Sequence, residues 1–153
     1  MSSISDTFKS VTEDMTTKPY FADGTKGWQN IKADNVQNDI VFFEQVISGE
    51  DTYPKGGGVF EQYNCEMMFL TQSKHADTPE QSNVHIAAMR TMKHEFINRV
   101  NALLNQYNER VFQHIDKTPT LVVINAKEFD RYLTGILISF KATAIQPLSI
   151  CLP

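Results

Sequence analysis

Apolar and polar positions along this chain follow two different periods. Near the N-terminus Ile4, Phe8, Val11 and Met15 recur at steps of four, three and four. That spacing lines one face of a helix and predicts a short one over Ser3–Met15. A loop follows, punctuated by Pro19, Gly24 and Gly27. It carries the only tryptophan, Trp28, a residue suited to plug the core or cover one end of a sheet. Asp39–Ile47 (DIVFFEQVI) is β-branched and aromatic and reads as a strand. Ser48–Gly58 is a polar stretch of eleven residues, longer than an ordinary hairpin connection, which points to an extended loop with a role. Val59–Gln72 then reads as a long strand. Val59, Tyr63, Cys65, Met67 and Phe69 share one face, and Gln62, Asn64 and Glu66 share a wetter one.

The clearest element comes next. Thr78 is placed to cap a helix, Pro79 fits its first position and Gln81 completes a capping box. Met89, Met92, Phe96, Val100, Leu103, Tyr107 and Val111 recur every three or four residues and predict one apolar stripe over about six turns, facing a single partner layer. Arg90, Lys93, Glu95, Arg99 and Glu109 fall on the solvated side. Thr118-Pro119 ends the helical region. Leu121–Phe129 reads as a strand, Asp130-Arg131 as a tight turn and Tyr132–Ile145 as a second strand, together an antiparallel hairpin. In the tail, Gln146–Pro153, residues Leu148, Ile150 and Cys151 suit a further edge strand. The order helix, strand, strand, long helix, strand, strand predicts a single α+β domain over residues 1–153. In it a long amphipathic helix covers one mainly antiparallel sheet, a two-layer arrangement with a short N-terminal helix added.

Composition narrows the class further. The chain has 153 residues, 41% of them hydrophobic and 21% charged, with two cysteines and a net charge of −4. That length supports one sizeable core without covalent staples. Two cysteines exclude a disulfide-framed mini-protein, the apolar content excludes a disordered chain, and the acidic balance argues against a general nucleic-acid binder. The best apolar run, Leu121–Ile124, falls far short of the ~20 residues of a membrane helix. Met1–Asp14 has neither the basic nor the apolar region of a signal peptide. A reducing cytoplasm is the expected site of synthesis, with Cys65 and Cys151 as free thiols that pack as small hydrophobes. Charge is unevenly divided. Residues 1–80 carry 6 basic and 13 acidic side chains, whereas residues 81–153 carry 8 and 5. This division suits a dipolar subunit whose acidic part meets a neighbour's basic part.

No familiar catalytic constellation is complete. His94-Glu95 opens like a zinc-protease helix, but the residue four on from His94 is Asn98. His85 and His94, nine residues apart, fall on opposite sides of a helix, and His75 and His114 lie beyond its two ends. Lys55-Gly56-Gly57-Gly58 is glycine-rich but precedes a strand and lacks the Lys-Ser/Thr of a phosphate loop, so it reads as a hairpin tip. Neither cysteine has a supporting nucleophile motif. Glu50-Asp51 and Glu128/Asp130 read as solvated turn acids. No cofactor, no metal and no enzymatic activity are expected. An α+β domain of this kind is expected to work by its surfaces.

The order of elements resembles that of phage tail terminator and related neck proteins. The resemblance rests on Asp39–Ile47, the loop Ser48–Gly58, Val59–Gln72 running into Thr78-Pro79-Glu80, and the closing strand Tyr132–Phe140. It is a likeness of pattern with no diagnostic motif. It implies a structural virion protein, made in the cytoplasm of a bacterial host, that forms a homo-hexameric ring capping the tail tube and joining it to the neck. DNA would pass through the lumen without specific binding, past acidic walls that repel phosphate, and no membrane would be involved. Each subunit would offer two different surfaces to its neighbours. Glu50, Asp51, Tyr53, Lys55, Gly56, Gly57 and Gly58 would reach toward a neighbouring subunit or partner protein. The alternative is a soluble binding or adaptor module with a groove between helix and sheet.

Overall fold

The structure, a computed structural model, describes residues 3–24, 38–74, 77–128 and 131–145, with the side chains of 45–47, 124–128 and 131 left aside. Trp28, His75, Cys151 and the tail from Gln146 lie outside the described residues.

Helix α1 spans Ile4–Glu13 and opens on a capping box in which the Asp6 N–H donates to Ser3 Oγ and the Ser3 N–H to Asp6 Oδ2. All four residues of its apolar stripe, Ile4, Phe8, Val11 and Met15, are buried. Phe8 is the hub of this packing. Its ring meets Phe43 edge-on at 5.3 Å and Phe96 at 5.5 Å, and lies tilted against Phe112 and Phe140.

The strands are β1 (Tyr20–Asp23), β2 (Ile40–Thr52), β3 (Phe60–Ser73), β4 (Thr120–Glu128) and β5 (Arg131–Ala144), with helix α2 (Pro79–Ala102) between β3 and β4. They form one sheet in the order β1-β2-β3-β5-β4. Only the β1–β2 pair is parallel. The fold is therefore the expected α+β type, with the long helix over one face of a mainly antiparallel sheet. The β3–β5 ladder runs from Glu61↔Ala144 to Ser73↔Tyr132 and forms the centre. Gly135 lies in it because a Cβ there would overlap the Phe69 carbonyl oxygen. Val41, Phe43, Cys65, Met67, Phe69, Ile136, Ile138 and Phe140 face the helices and are buried with Met89, Met92, Phe96 and Val100 of α2. On the far face a smaller cluster of Ala22, Ile40, Phe42, Leu70 and Leu133 is buried at one end of the strands.

Helix α2 starts as its sequence dictates: the Thr78 N–H donates to Gln81 Oε1, the Gln81 N–H to Thr78 Oγ1, and Pro79 fills the first turn. It ends earlier than the apolar spacing implies. Leu103 is extended (ψ 127°), and the chain doubles back in a small hairpin with a Leu104↔Arg110 bridge. Asn105 builds the reversal, since its side-chain oxygen accepts from the N–H groups of Tyr107 and Glu109. Leu103 and Val111 both pack against the core because they face each other across this hairpin, with Val111 N–H donating to Leu103 C=O. Tyr107, expected in the core stripe, sits instead near the hairpin's tip and is 60% exposed. Glu109 likewise lies beyond the helix.

Two further boundaries and one burial differ from the sequence reading. Tyr20–Asp23, read as loop, is a four-residue strand held parallel to Ile40–Phe43. Ser48–Thr52, also read as loop, continues β2 and pairs with Phe60–Asn64 after an irregularity between Glu44 and Ser48. Two extra residues on β2 are accommodated there, a bulge that lets a polar segment rejoin the ladder. Lys93, expected on the solvated side, is only 5% exposed. The final hairpin is present, with Glu128↔Arg131 its last pair, and the two residues between them lie outside the described set.

Candidate interaction surface

The residues picked out around the glycine-rich stretch form the end of the β2–β3 arm, in which β3 is also paired with β5 along Glu61–Asn64. Glu50 and Asp51 lie on β2, opposite Gln62 and Glu61 of β3. The connection itself is Tyr53–Val59, closed by a Gly57 N–H donated to Pro54 C=O at 3.1 Å. Gly57 and Gly58 have φ of +94° and +85°, the left-handed region where a side chain is strained. Tyr53 is 72% exposed, and Glu50, Asp51, Lys55 and Gly56 are exposed too. The arm's register follows from β3, which is locked on its other side to β5.

Beyond Phe43 no described strand pairs with the outer edge of β2, because β1 ends at Asp23. Among the described residues Ser48–Thr52 thus has no strand on its outer side, and an edge of that kind offers backbone donors and acceptors to a partner. Its electrostatics are one-sided. Asp51 stands directly across from Glu61, and Glu44 directly across from Glu66. Burial raises the Glu44 carboxyl above its ordinary value, and its hydrogen bond and charge contact with Glu66 raise it further. The Tyr63 hydroxyl is pushed up to about 12, first by burial and then by the negative charge of Glu61 and Asp51. Like charges facing each other across a ladder destabilise it, so the arm carries a local cost in the isolated chain.

The cationic features lie on α2. Thr16 N–H donates to Glu95 Oε1 at 2.6 Å, which marks the flank of α2 that faces α1, and Arg99 reaches the same carboxylate. Arg90 and Lys93 lie roughly 140–160° around the helix from Glu95, on the opposite flank. Burial and then Arg90 lower the Lys93 amine below its usual value. Burial, then Lys93 and Arg90, lower the exposed His94. No carboxylate among the described residues pairs with any of the three. His85 instead meets Asp77, its Nε2 3.4 Å from Oδ2.

An open cleft of about 630 Å³ lies on the polar half of the far face, between β3–β5 and the segment running from Gln113 to Pro119. Gln62, Glu66 and Lys141 are among the residues of its floor, and His114 and Lys117 are on its wall. Asn101 pins that wall: its side chain donates to Ile115 C=O at 3.0 Å and accepts the Ile115 N–H at 2.8 Å. This position differs from the groove between helix and sheet named for a binding module. Cys65 is buried, and burial pushes its thiol up to about 12, a form with little nucleophilic thiolate. No described helix is long and apolar enough to cross a membrane.

Glu50, Asp51 and Tyr53 could be found from sequence, but Glu61 as partner to Asp51, the cationic flank and the cleft could not. Cross-strand register and helix orientation create them. No protein-family model matches the chain, and comparison with curated proteins finds no relative.

Proposed function

We propose that this chain is a structural subunit of a phage tail or neck, without enzymatic activity, which assembles into a closed ring that caps the tail tube. The observation that carries the reading is the β2–β3 arm: an ordered ladder with exposed charges, an exposed Tyr53 and an edge at Ser48–Thr52 that no described strand covers. Such a feature has little use in an isolated domain and suits contact with another folded surface. The resemblance in element order adds the kind of assembly, a hexameric ring between tube and neck through which DNA passes without specific binding. The test is electron microscopy of the purified protein alone and mixed with tail tubes. Rings of uniform diameter that seat on tube ends are expected, and protein that forms no ring and leaves tube ends bare refutes the proposal.

One observation favours a second reading, a binding module for a small polar molecule: the cleft bounded by Glu66, Lys141, His114 and Lys117. It predicts thermal stabilisation by some compound in a polar metabolite panel, lost in Lys141→Ala. No stabilisation by any of them counts against it.

A further inference from the structure

We propose that copies of this chain join head to tail, with the acidic β2–β3 arm of one copy seated on the Arg90–Lys93–His94 flank of α2 in the next. The inference rests on the ring reading and names the contact that would build the ring.

Three observations converge on it. The arm carries negative charge along an edge that no described strand covers, with Lys55 in its connection. Glu50 and Asp51 are exposed there, and Asp51 faces Glu61 across the ladder. The α2 flank carries positive charge on Arg90 and Lys93, with His94 beside them. Lys93 is 5% exposed and has no ion-pair partner among the described residues, and Arg90 and His94 are exposed beside it. An acidic surface seated on a cationic one gains complementary charge contacts that neither makes in the isolated chain.

The third observation is placement. α1 packs against β1 and against α2, so it lies over the β1 side of the sheet. The flank of α2 turned away from α1 looks toward the β5–β4 side, and the open β2 edge looks the other way. The acidic and cationic surfaces therefore lie on opposite sides of the subunit. One surface meeting a different surface of an identical copy is a heterologous contact, which closes into a ring when the rotation allows. Tyr53, at the arm's tip, adds a large apolar contact beside the charges.

A charge-swap experiment tests this. Glu50→Lys/Asp51→Lys reverses the arm, and Arg90→Glu/His94→Glu reverses the flank. All four positions are exposed, and far-UV circular dichroism with urea midpoints checks that each variant is folded. Sedimentation velocity is run on wild type, on each variant, on their equimolar mixture and on the quadruple variant. Each variant alone should associate at least about tenfold more weakly than wild type, and the mixture and the quadruple variant should recover, because every contact then pairs opposite charges. If either folded variant assembles like wild type, or the mixture does not recover, the contact is wrong and the ring reading stands. Wild-type protein that stays monomeric at all concentrations overturns the contact, and bare tube ends in the mixture with tail tubes overturn the ring reading as well.

Discussion

Phe8→Ala tests whether α1 is an integral part of the core. The Phe8 side chain is fully buried and meets Phe43, Phe96, Phe112 and Phe140, which come from β2, α2, the segment after α2 and β5. Truncation leaves a cavity enclosed by residues that cannot all move inward, because each is anchored in its own element. Phenylalanine-to-alanine changes in such sites cost about 3–5 kcal/mol, and the two edge-on ring contacts place this site toward the upper end. For a chain of this size each kcal/mol lowers Tm by about 2–4 °C, so the shift is roughly 6–20 °C. Urea titration gives the free energy directly, and the m-value checks that the unfolding transition remains the same. Phe8→Leu, which keeps most of the apolar volume, should cost less than about half as much. Lys9→Ala, at an exposed neighbouring position, should stay within about 0.5 kcal/mol of wild type. A Phe8→Ala loss below about 1 kcal/mol would mean that α1 is not seated on the sheet as described.

Three other outcomes follow from particular groups. Asn101→Ala removes both bonds to the buried Ile115 backbone and should cost about 1–3 kcal/mol. It should also speed amide exchange at Ile115 more than at Ile138, and equal acceleration at both would contradict a local pin. In a Cys151→Ser background, Cys65, with its thiol pushed up to about 12, should react with a thiol reagent at pH 8 only when urea unfolds the protein; rapid labelling under native conditions would show that the site is open. Glu44 has a folded-state pKa above its ordinary value of 4.5. The folded chain therefore binds more protons than the unfolded one between those two values, and stability falls as pH rises through that window. Glu44→Gln should flatten urea midpoints across it and exceed wild type at pH 7. An unchanged pH slope would show that the Glu44–Glu66 pair does not titrate as described.

Local periodicity made both helices and the β3 faces legible. A stripe at steps of three and four, or an alternation of two, follows from covalent geometry wherever one face is buried. The cap at Thr78 was equally local, since it joins residues three apart. Tyr107 marks where this logic stops: its spacing from Leu103 and Val111 is helical, yet those two meet across a hairpin that Asn105 closes. Tyr20–Asp23 carries too few residues for a period, and only its parallel partner makes it a strand.

The sequence by itself determined the class of fold, the cap at Thr78 and most of the core, and it separated an acidic half from a basic one. Tertiary structure decided that Ser48–Thr52 is strand, that Asp51 faces Glu61 and that Lys93 is buried. Those facts depend on register and on which elements share a layer, and pairing partners far apart in the chain set them.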